Sequence, residues 1–512
     1  MTDESTRLQN LLHFALAKKP GAIAIRNAQS AISYAELDRQ VRQVAAGLRR
    51  LGIESGDRVA WLLPNCLEAV LVTLACYQIG AVAVPLNYRY VPEEARDVLQ
   101  RTGAKAIVFH ADRAQLTQAL SDLEQLELVI AVGGAWTDAV EFSELYEAGE
   151  MESPAPTPPD APALILFTSG STGRPKGVVH SQDGVFQAID QSRRLFHFDA
   201  NDVVLIGKPI SHAGGLQTQL MAALSAGGET ILAMKPQPDE AIDLIKAYGV
   251  TEYGLLASDL LDFIERLERH PTELPSLKNA IGSGDSVPTD LHHRFRDLVG
   301  WEVMEGAGMT EAGCYYAANP RFGKRKWGSL GVAAPGAALK IVNSQGVACA
   351  VGEVGEIVLQ MPSATIGYWN DPSATDELYR DGWLHTGDLA RQDEEGYVWF
   401  VGRKKLMIVR RGSNIAPAEV ENVIDEHPAV HASAVVGVSD ARDGSVPVAC
   451  VALNAGEDQS REEEIRRDVA ERLAAYKNPT HYLFLNELPR NATGKLDRHR
   501  LQQLAERQFG GA

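Results

Sequence analysis

Apolar and polar positions follow two rhythms along the first half of the chain. Arg58 to Leu63 is a short, nearly continuous apolar run of the kind a buried strand needs. Asn65 stands where it can cap a helix that ends at Gly80, a residue type suited to a helix stop. Ala81 to Val84 reads as strand, Pro92 to Arg101 as helix, and Ala106 to Phe109 as another apolar strand. This alternation predicts an α/β architecture with a largely parallel sheet. The longest apolar run, Ala69 to Leu86, is interrupted by Thr73, Gln78, Gly80 and Pro85. It fits a buried helix followed by a strand better than a membrane span. Five prolines between Pro154 and Pro162 stiffen a connector into the apolar strand Leu164-Ile165-Leu166-Phe167. A second change follows Gly402, where Arg403-Lys404-Lys405 ends the apolar strand Tyr397 to Val401. The expected domains are therefore 1–402 and 403–512, the latter with its own helix and strand alternation.

Length and charge narrow this picture. At 512 residues the chain exceeds what one core serves, and 45% hydrophobic with 23% charged residues is an ordinary globular balance. The formal charge of -18 argues against a general nucleic-acid or anionic-lipid binder. Any anionic ligand must then be met by local cations and backbone N–H groups. The five cysteines, Cys66, Cys76, Cys314, Cys349 and Cys450, are scattered with no Cys-x-x-Cys pair. No disulfide framework or zinc site is expected, and a reducing cytoplasm is the simplest compartment. Met1 to Asn10 carries two early acids and no apolar core, unlike a signal peptide.

The first candidate chemistry follows the strand at Leu164. Thr168-Ser169-Gly170-Ser171-Thr172-Gly173-Arg174-Pro175-Lys176-Gly177 holds four hydroxyls and three glycines in ten residues. Glycines let backbone N–H groups approach a polyphosphate, and Lys176 adds a point charge. A surface turn is the alternative, since Val178-Val179 is again strand-like. The spacing departs from G-x-x-x-x-G-K-[ST], because Pro175 holds the second glycine's place, so a P-loop kinase or ATPase is not supported.

This loop resembles the phosphate-binding signature of the adenylate-forming superfamily: acyl-CoA synthetases, nonribosomal adenylation domains and beetle luciferases. Further motifs follow in that family's order across nearly the whole chain. Lys208-Pro209-Ile210-Ser211-His212-Ala213-Gly214-Gly215 is similar to the next motif, whose aromatic residue sits near the acid's carboxylate. Gly282-Ser283-Gly284-Asp285-Ser286-Val287-Pro288 looks like the segment lining the acyl and adenine pockets. Gly306-Ala307-Gly308-Met309-Thr310-Glu311 resembles aromatic-Gly-x-Thr-Glu, and Gly382-Trp383-Leu384-His385-Thr386-Gly387-Asp388 matches the ribose-binding motif. Val401-Gly402-Arg403-Lys404-Lys405 resembles the domain junction, and Arg410-Arg411-Gly412-Ser413-Asn414-Ile415 the loop that faces the site during thioester formation. Pro489-Arg490-Asn491-Ala492-Thr493-Gly494-Lys495 carries the family's C-terminal lysine.

The resemblance implies a large N-terminal domain of layered α/β sheets with a β-barrel-like subdomain, and a small mobile C-terminal α+β domain. It implies ATP-dependent activation of a carboxylic acid to an acyl-adenylate, then transfer to coenzyme A, with Mg²⁺ required. By it, Thr168 to Gly173 and Lys176 cradle the phosphates, Thr310 touches them, and Glu311 holds Mg²⁺. Gly284, Asp285, Gly306, Ala307, Gly308 and Met309 surround the nucleotide. Asp388 accepts from both ribose hydroxyls, and Arg403 contacts the nucleotide. His212 acts as a donor or gate, Lys405 as the hinge, Gly412 as a border of the acceptor channel, and Lys495 as the cation at the reacting groups. Attack of a carboxylate on a polyphosphate brings negative charges together, so positioning and a positive field must carry the chemistry.

An amino-acid adenylation domain typically places an aspartate just after the His212 motif, where Ala213-Gly214-Gly215 stands here. An amine or a carrier-protein thiol as acceptor is not separated from CoA by the sequence, and a homodimer is left open. Keeping Lys176, Glu311, Asp388 and Lys495 together argues against an inert nucleotide-binding protein. Two positions break the pattern. Ala307 stands where an aromatic that would cover adenine is usual, and Leu406 where aspartate is usual. The stretch Gly254 to Leu261 is expected to line part of an apolar acid pocket.

Overall fold

The computed structural model describes residues 7–27, 30–113, 120, 123–134, 136–168, 175–283, 287, 289–411, 413–440, 443–491 and 495–510. By contact the chain forms two compact units, Met1–Ala338 with Leu359–Leu384, and Leu339–Val358 with His385–Ala512. The basic turn after Gly402 lies inside the second unit.

The first unit is built on two large sheets. In the eight-stranded one the order is Gly367–Tyr368, Lys176–Ser181, Pro162–Thr168, Val82–Pro85, Arg58–Leu62, Ala106–His110, Leu128–Val132 and Val140–Glu141. Pairing is parallel from Pro162–Thr168 outward to Val140–Glu141, while Lys176–Ser181 returns antiparallel on Pro162–Thr168. The seven-stranded sheet runs Val303–Met304, Asn279–Ser283, Glu252–Leu256, Val203–Ile206, Glu229–Leu232, Ile23–Arg26 and Ala31–Ser33, parallel except at its last strand. One core cluster draws Val59, Trp61 and Leu164 from the first sheet and Val204, Ile206 and Ile281 from the second. The helix Leu67–Ile79 lies in that cluster, which explains its apolar residues all round. Helices Pro92–Thr102 and Pro238–Tyr248 cover outer faces, each amphipathic with proline at its first turn. Such layering is what strands buried on both faces require. Among the described residues no helix is long and apolar enough to cross a membrane.

The expected strands and helices of the first half are present within a residue or two, and Gly80 closes its helix with φ 73. Asn65 is a correction. The helix N-cap is Cys66, without a side-chain cap bond. The Asn65 amide instead donates to the carbonyls of Lys208 and Ala233, each at 2.8 Å, and accepts from the Ile210 amide at 3.0 Å. Backbone groups where two strands of the other sheet end need partners more than an apolar helix start does.

The second unit's main sheet orders Ser413–Ile415, Ile408–Arg410, Gly444–Leu453 and Val430–Asp440, with His481–Leu485 parallel to Gly444–Leu453. Its strands alternate, apart from a bulge near Val430. Val435, Ala449 and Val451 join Val420, Ile424, Ile465 and Val469 of two helices on one face. Ala434, Val436, Val448 and Cys450 join Leu501 and Ala505 of the helix Arg498–Phe509 on the other. Period-two patterning thus builds two cores on one sheet.

Candidate active site

The hairpin at Thr168 and Lys176 opens the site in the first unit. These two residues are register partners at the ends of strands Pro162–Thr168 and Lys176–Ser181. Ser169, Gly170, Ser171, Thr172 and Gly173 lie outside the described residues, as do Gly284, Asp285 and Gly412. The Lys176 ammonium sits 4.7 Å from the centroid of the Tyr368 ring, within cation–π range. The Tyr368 hydroxyl in turn donates to Glu311 Oε1 at 2.8 Å. Burial and the Glu311 carboxylate push the Tyr368 phenol far up, so it remains a donor. One ring therefore joins the loop's cation to the candidate metal carboxylate.

The backbone behind Glu311 is tied to the same hairpin. The Thr365 amide donates to Glu311 O at 2.7 Å, and Gly367–Tyr368 pairs antiparallel with Val178–Val179. His180, on the hairpin's second strand, donates Nε2–H to Thr310 O at 2.9 Å. Burial pulls His180 down to about 4, leaving a neutral ring that fixes the Thr310–Ala312 turn. Gly306–Gly308 forms a short strand against Tyr315–Ala318, with Ala307 half-buried opposite Ala317. Met309 caps the turn in extended conformation.

Glu305 was not singled out by its sequence surroundings, yet it accepts from the Val287 amide at 2.7 Å and from His292 Nε2–H at 3.0 Å. It thereby holds one end of the segment containing Gly284 and Asp285. His212 precedes the short turn Ala213–Gly215, which runs on into a π-helical turn, Leu216–Met221. A Cβ on Gly215 would lie 2.3 Å from Pro209 O, so the motif's glycine permits the helix to fold back on its own loop.

In the second unit, Asp388 and Arg403 are register partners on adjacent strands, and Arg403 Nε lies 3.0 Å from Asp388 Oδ1. Asp388 is buried while Arg403 is exposed, so the pair offers a fixed acceptor beside a movable cation. Glu356 organises the strand turn beneath. It accepts from the Gly387 amide at 3.2 Å and from Lys404 Nζ at 3.0 Å, and meets His385 Nδ1 at 3.1 Å. Burial pushes its carboxyl up, but the bonds from His385 and Lys404 outweigh that and hold it below the usual range. Lys405 is exposed in the turn Lys404–Leu406. Arg410 and Arg411, before Gly412, both reach the Asp443 carboxylate, at 3.0 and 2.6 Å. Lys495 is exposed; its amide donates to Asn491 Oδ1 at 3.1 Å, and its carbonyl accepts from the Asn491 amide at 2.8 Å.

Tyr368, His180, Glu305 and Glu356 escaped the sequence reading. Tyr368 lies in Gly367-Tyr368-Trp369 before Asn370-Asp371-Pro372, a stretch that reads only as a turn.

Known proteins resemble this chain along nearly its whole length. A family described as AMP-binding enzyme matches residues 12–369, and the AMP-binding enzyme C-terminal domain matches residues 419–495. The chain is 34% identical over 503 residues to an indoleacetate–CoA ligase of Aromatoleum aromaticum, covering 96% of each. It is 34% identical over 502 residues to a feruloyl-CoA synthase of an Amycolatopsis species, again covering 96% of each. ATP-bound MatB from Rhodopseudomonas palustris shares the fold with a TM-score of 0.89 at 28% identity, over 98% of this chain and 99% of that one. The chain belongs to the AMP-binding enzyme family of adenylate-forming ligases. It is an AMP-forming acid–thiol ligase, activating a carboxylic acid with ATP to acyl-AMP and pyrophosphate and then passing the acyl group to coenzyme A.

Proposed function

We propose that Lys176, Tyr368 and Glu311 form the phosphate pole of the adenylation step. Asp388 and Arg403 hold the ribose end, and Lys495 supplies the cation at the reacting carboxylate and α-phosphate. The observation that carries this reading is the Tyr368 ring, which holds an ammonium on its face and a carboxylate on its hydroxyl. Two opposite charges kept apart by one side chain suit a polyanion that brings its own cation. Among the described residues no cluster of three or more His, Cys, Asp or Glu makes a closed metal cage. A single carboxylate such as Glu311 suits Mg²⁺ shared with substrate phosphates, where the ion would neutralise phosphate charge.

His212 acts beside the acid's carboxyl. Lys405 is the hinge, Gly412 borders the acceptor channel, and the functional division falls at 402/403. The acid has an apolar, ring-bearing tail, as the acids in the names of the two relatives do, and the apolar stretch Gly254 to Leu256 supports such a tail.

Lys495→Ala tests the division of labour. Acyl-adenylate formation, measured as acid-dependent pyrophosphate release, should fall by about 10² to 10³, the worth of one strong electrostatic donor. Thioester formation from preformed acyl-adenylate and CoA should persist. Equal loss of both steps would refute the assignment of Lys495 to the first.

A further inference from the structure

Three buried polar side chains near His212, those of Lys208, Gln217 and Gln219, have no use in the chemistry above, and two of them share one face. Lys208 follows the strand Val203–Ile206; it is 2% exposed, and its Nζ meets no hydrogen-bond partner among the described residues. Gln219, in the π-helical turn Leu216–Met221, is 0% exposed, and both its amide atoms lack partners among the described residues. Its carboxamide rests on the strand Glu252–Leu256 at Gly254, where an added Cβ would lie 2.0 Å from Gln219 Oε1. Only glycine admits that approach.

Register brings the two together. Ile206 and Gly254 are partners on adjacent parallel strands, so their side-chain directions share a face. Gly207 points to the opposite face, where its Cβ would lie 3.0 Å from the Tyr253 ring. Continuing the alternation returns Lys208 to the face of Gly254 and Gln219, two residues past the end of Val203–Ile206 and level with Leu256, the last residue of its neighbour. That is where open α/β sheets bind ligands. The Lys208 backbone is pinned there by Asn65, which donates to its carbonyl at 2.8 Å. Burial alone pulls the Lys208 amine down to about 7. An ammonium and a carboxamide desolvated without partners destabilise the fold relative to apolar side chains of the same size. π-Helical turns of this kind occur frequently at functional sites.

We propose that Lys208 and Gln219 are specificity residues that bind an oxygen at the far end of the acid's tail, either a phenolic hydroxyl or a second carboxylate. Lys208 donates to that oxygen, and Gln219 donates to it or accepts from its hydroxyl proton. A hydrocarbon tail would leave both groups buried and unpaired. The inference rests on the acid-activating reading and names the class of acid.

Matched acids test it: phenylpropenoic acid against its 4-hydroxy and 4-carboxy forms, compared by kcat/KM for pyrophosphate release. The wild type should favour an oxygen-bearing member by about 10²-fold or more, as sites built for a polar group reject its absence. Lys208→Met should lose most of that preference, with the unsubstituted acid gaining and the oxygen-bearing acid losing. A larger effect of Lys208→Met on the 4-carboxy acid identifies the anionic source. A larger effect of Gln219→Leu on the 4-hydroxy acid identifies the hydroxyl. Indifference of the wild type to the oxygen overturns the proposal, the two side chains then holding only buried water. So does a preference that survives both variants. The wild-type comparison decides even if a variant fails to fold. Pyrophosphate release from none of the acids would instead sink the acid-activating reading, and the inference with it.

Discussion

At Tyr368 one hydroxyl decides where a carboxylate points. Glu311 has two oxygens, and the bond from Tyr368 engages Oε1 alone. A hydrogen bond to a charged group contributes about 1.5 to 3 kcal/mol net, enough to fix one rotamer over its rivals. Tyr368→Phe should keep the ring under Lys176 and remove only the donor. The expected outcome is a fall of roughly tenfold or more in kcat/KM for ATP, with a higher Mg²⁺ concentration needed for half-maximal rate. Thioester formation from preformed acyl-adenylate should be unchanged. A variant with wild-type Mg²⁺ dependence would show that Glu311 needs no such positioning.

At the scale of elements, the short strand Gly306–Gly308 carries the clearest departure from the family pattern. Its pairing with Tyr315–Ala318 fixes Ala307 half-buried between two glycines. If this position borders the nucleotide, as the family resemblance implies, a ring here would lie against adenine, and base–aromatic stacking is worth about 1 to 3 kcal/mol per base. Ala307→Tyr should therefore tighten ATP binding by roughly 5- to 150-fold, measured as Kd, with acid preference retained. Loss of activity toward the bulkiest acids alone would mean that the alanine makes room for substrate. Unaltered kinetics toward ATP and every acid would remove Ala307 from the pocket. A neighbouring element is also more constrained than its motif suggests. Gly215 lies close against Pro209, and the π-helical turn after it sets the Gln219 carboxamide on Gly254, so a glycine permits each of two close approaches.

Across the whole molecule, two half-reactions are joined by one intermediate, the acyl-adenylate. The proposed phosphate pole, Lys176, Glu311 and Tyr368, belongs to the first unit, and Asp388, Arg403, Lys405 and Lys495 belong to the second. If Lys405 is the hinge between two working states, fixing its φ should separate the steps. Lys405→Pro should retain acid-dependent pyrophosphate release while steady-state thioester output falls roughly tenfold or more, as expected when a conformational step becomes limiting. Parallel loss of both outputs would place the hinge elsewhere.

The sequence by itself determined the alternation of strands and helices, the buried course of Leu67–Ile79, and the residues that carry charge in each motif. Those features are local: burial imposes a period on neighbouring side chains, and a phosphate loop needs its glycines and cation within a few residues. Tertiary structure decided what distant residues do for one another. Asn65 looked like a helix cap because its neighbours formed a helix, but carbonyls up to 168 positions away claimed its amide. Tyr368 looked like part of a turn until the fold set it on Glu311, 57 positions back. Lys208 opens a motif and Gln219 belongs to none, and only strand register together with the approach of Gln219 to Gly254 puts them on one face. Such pairings depend on which strands become neighbours, and a single sequence does not encode that adjacency in any local periodicity.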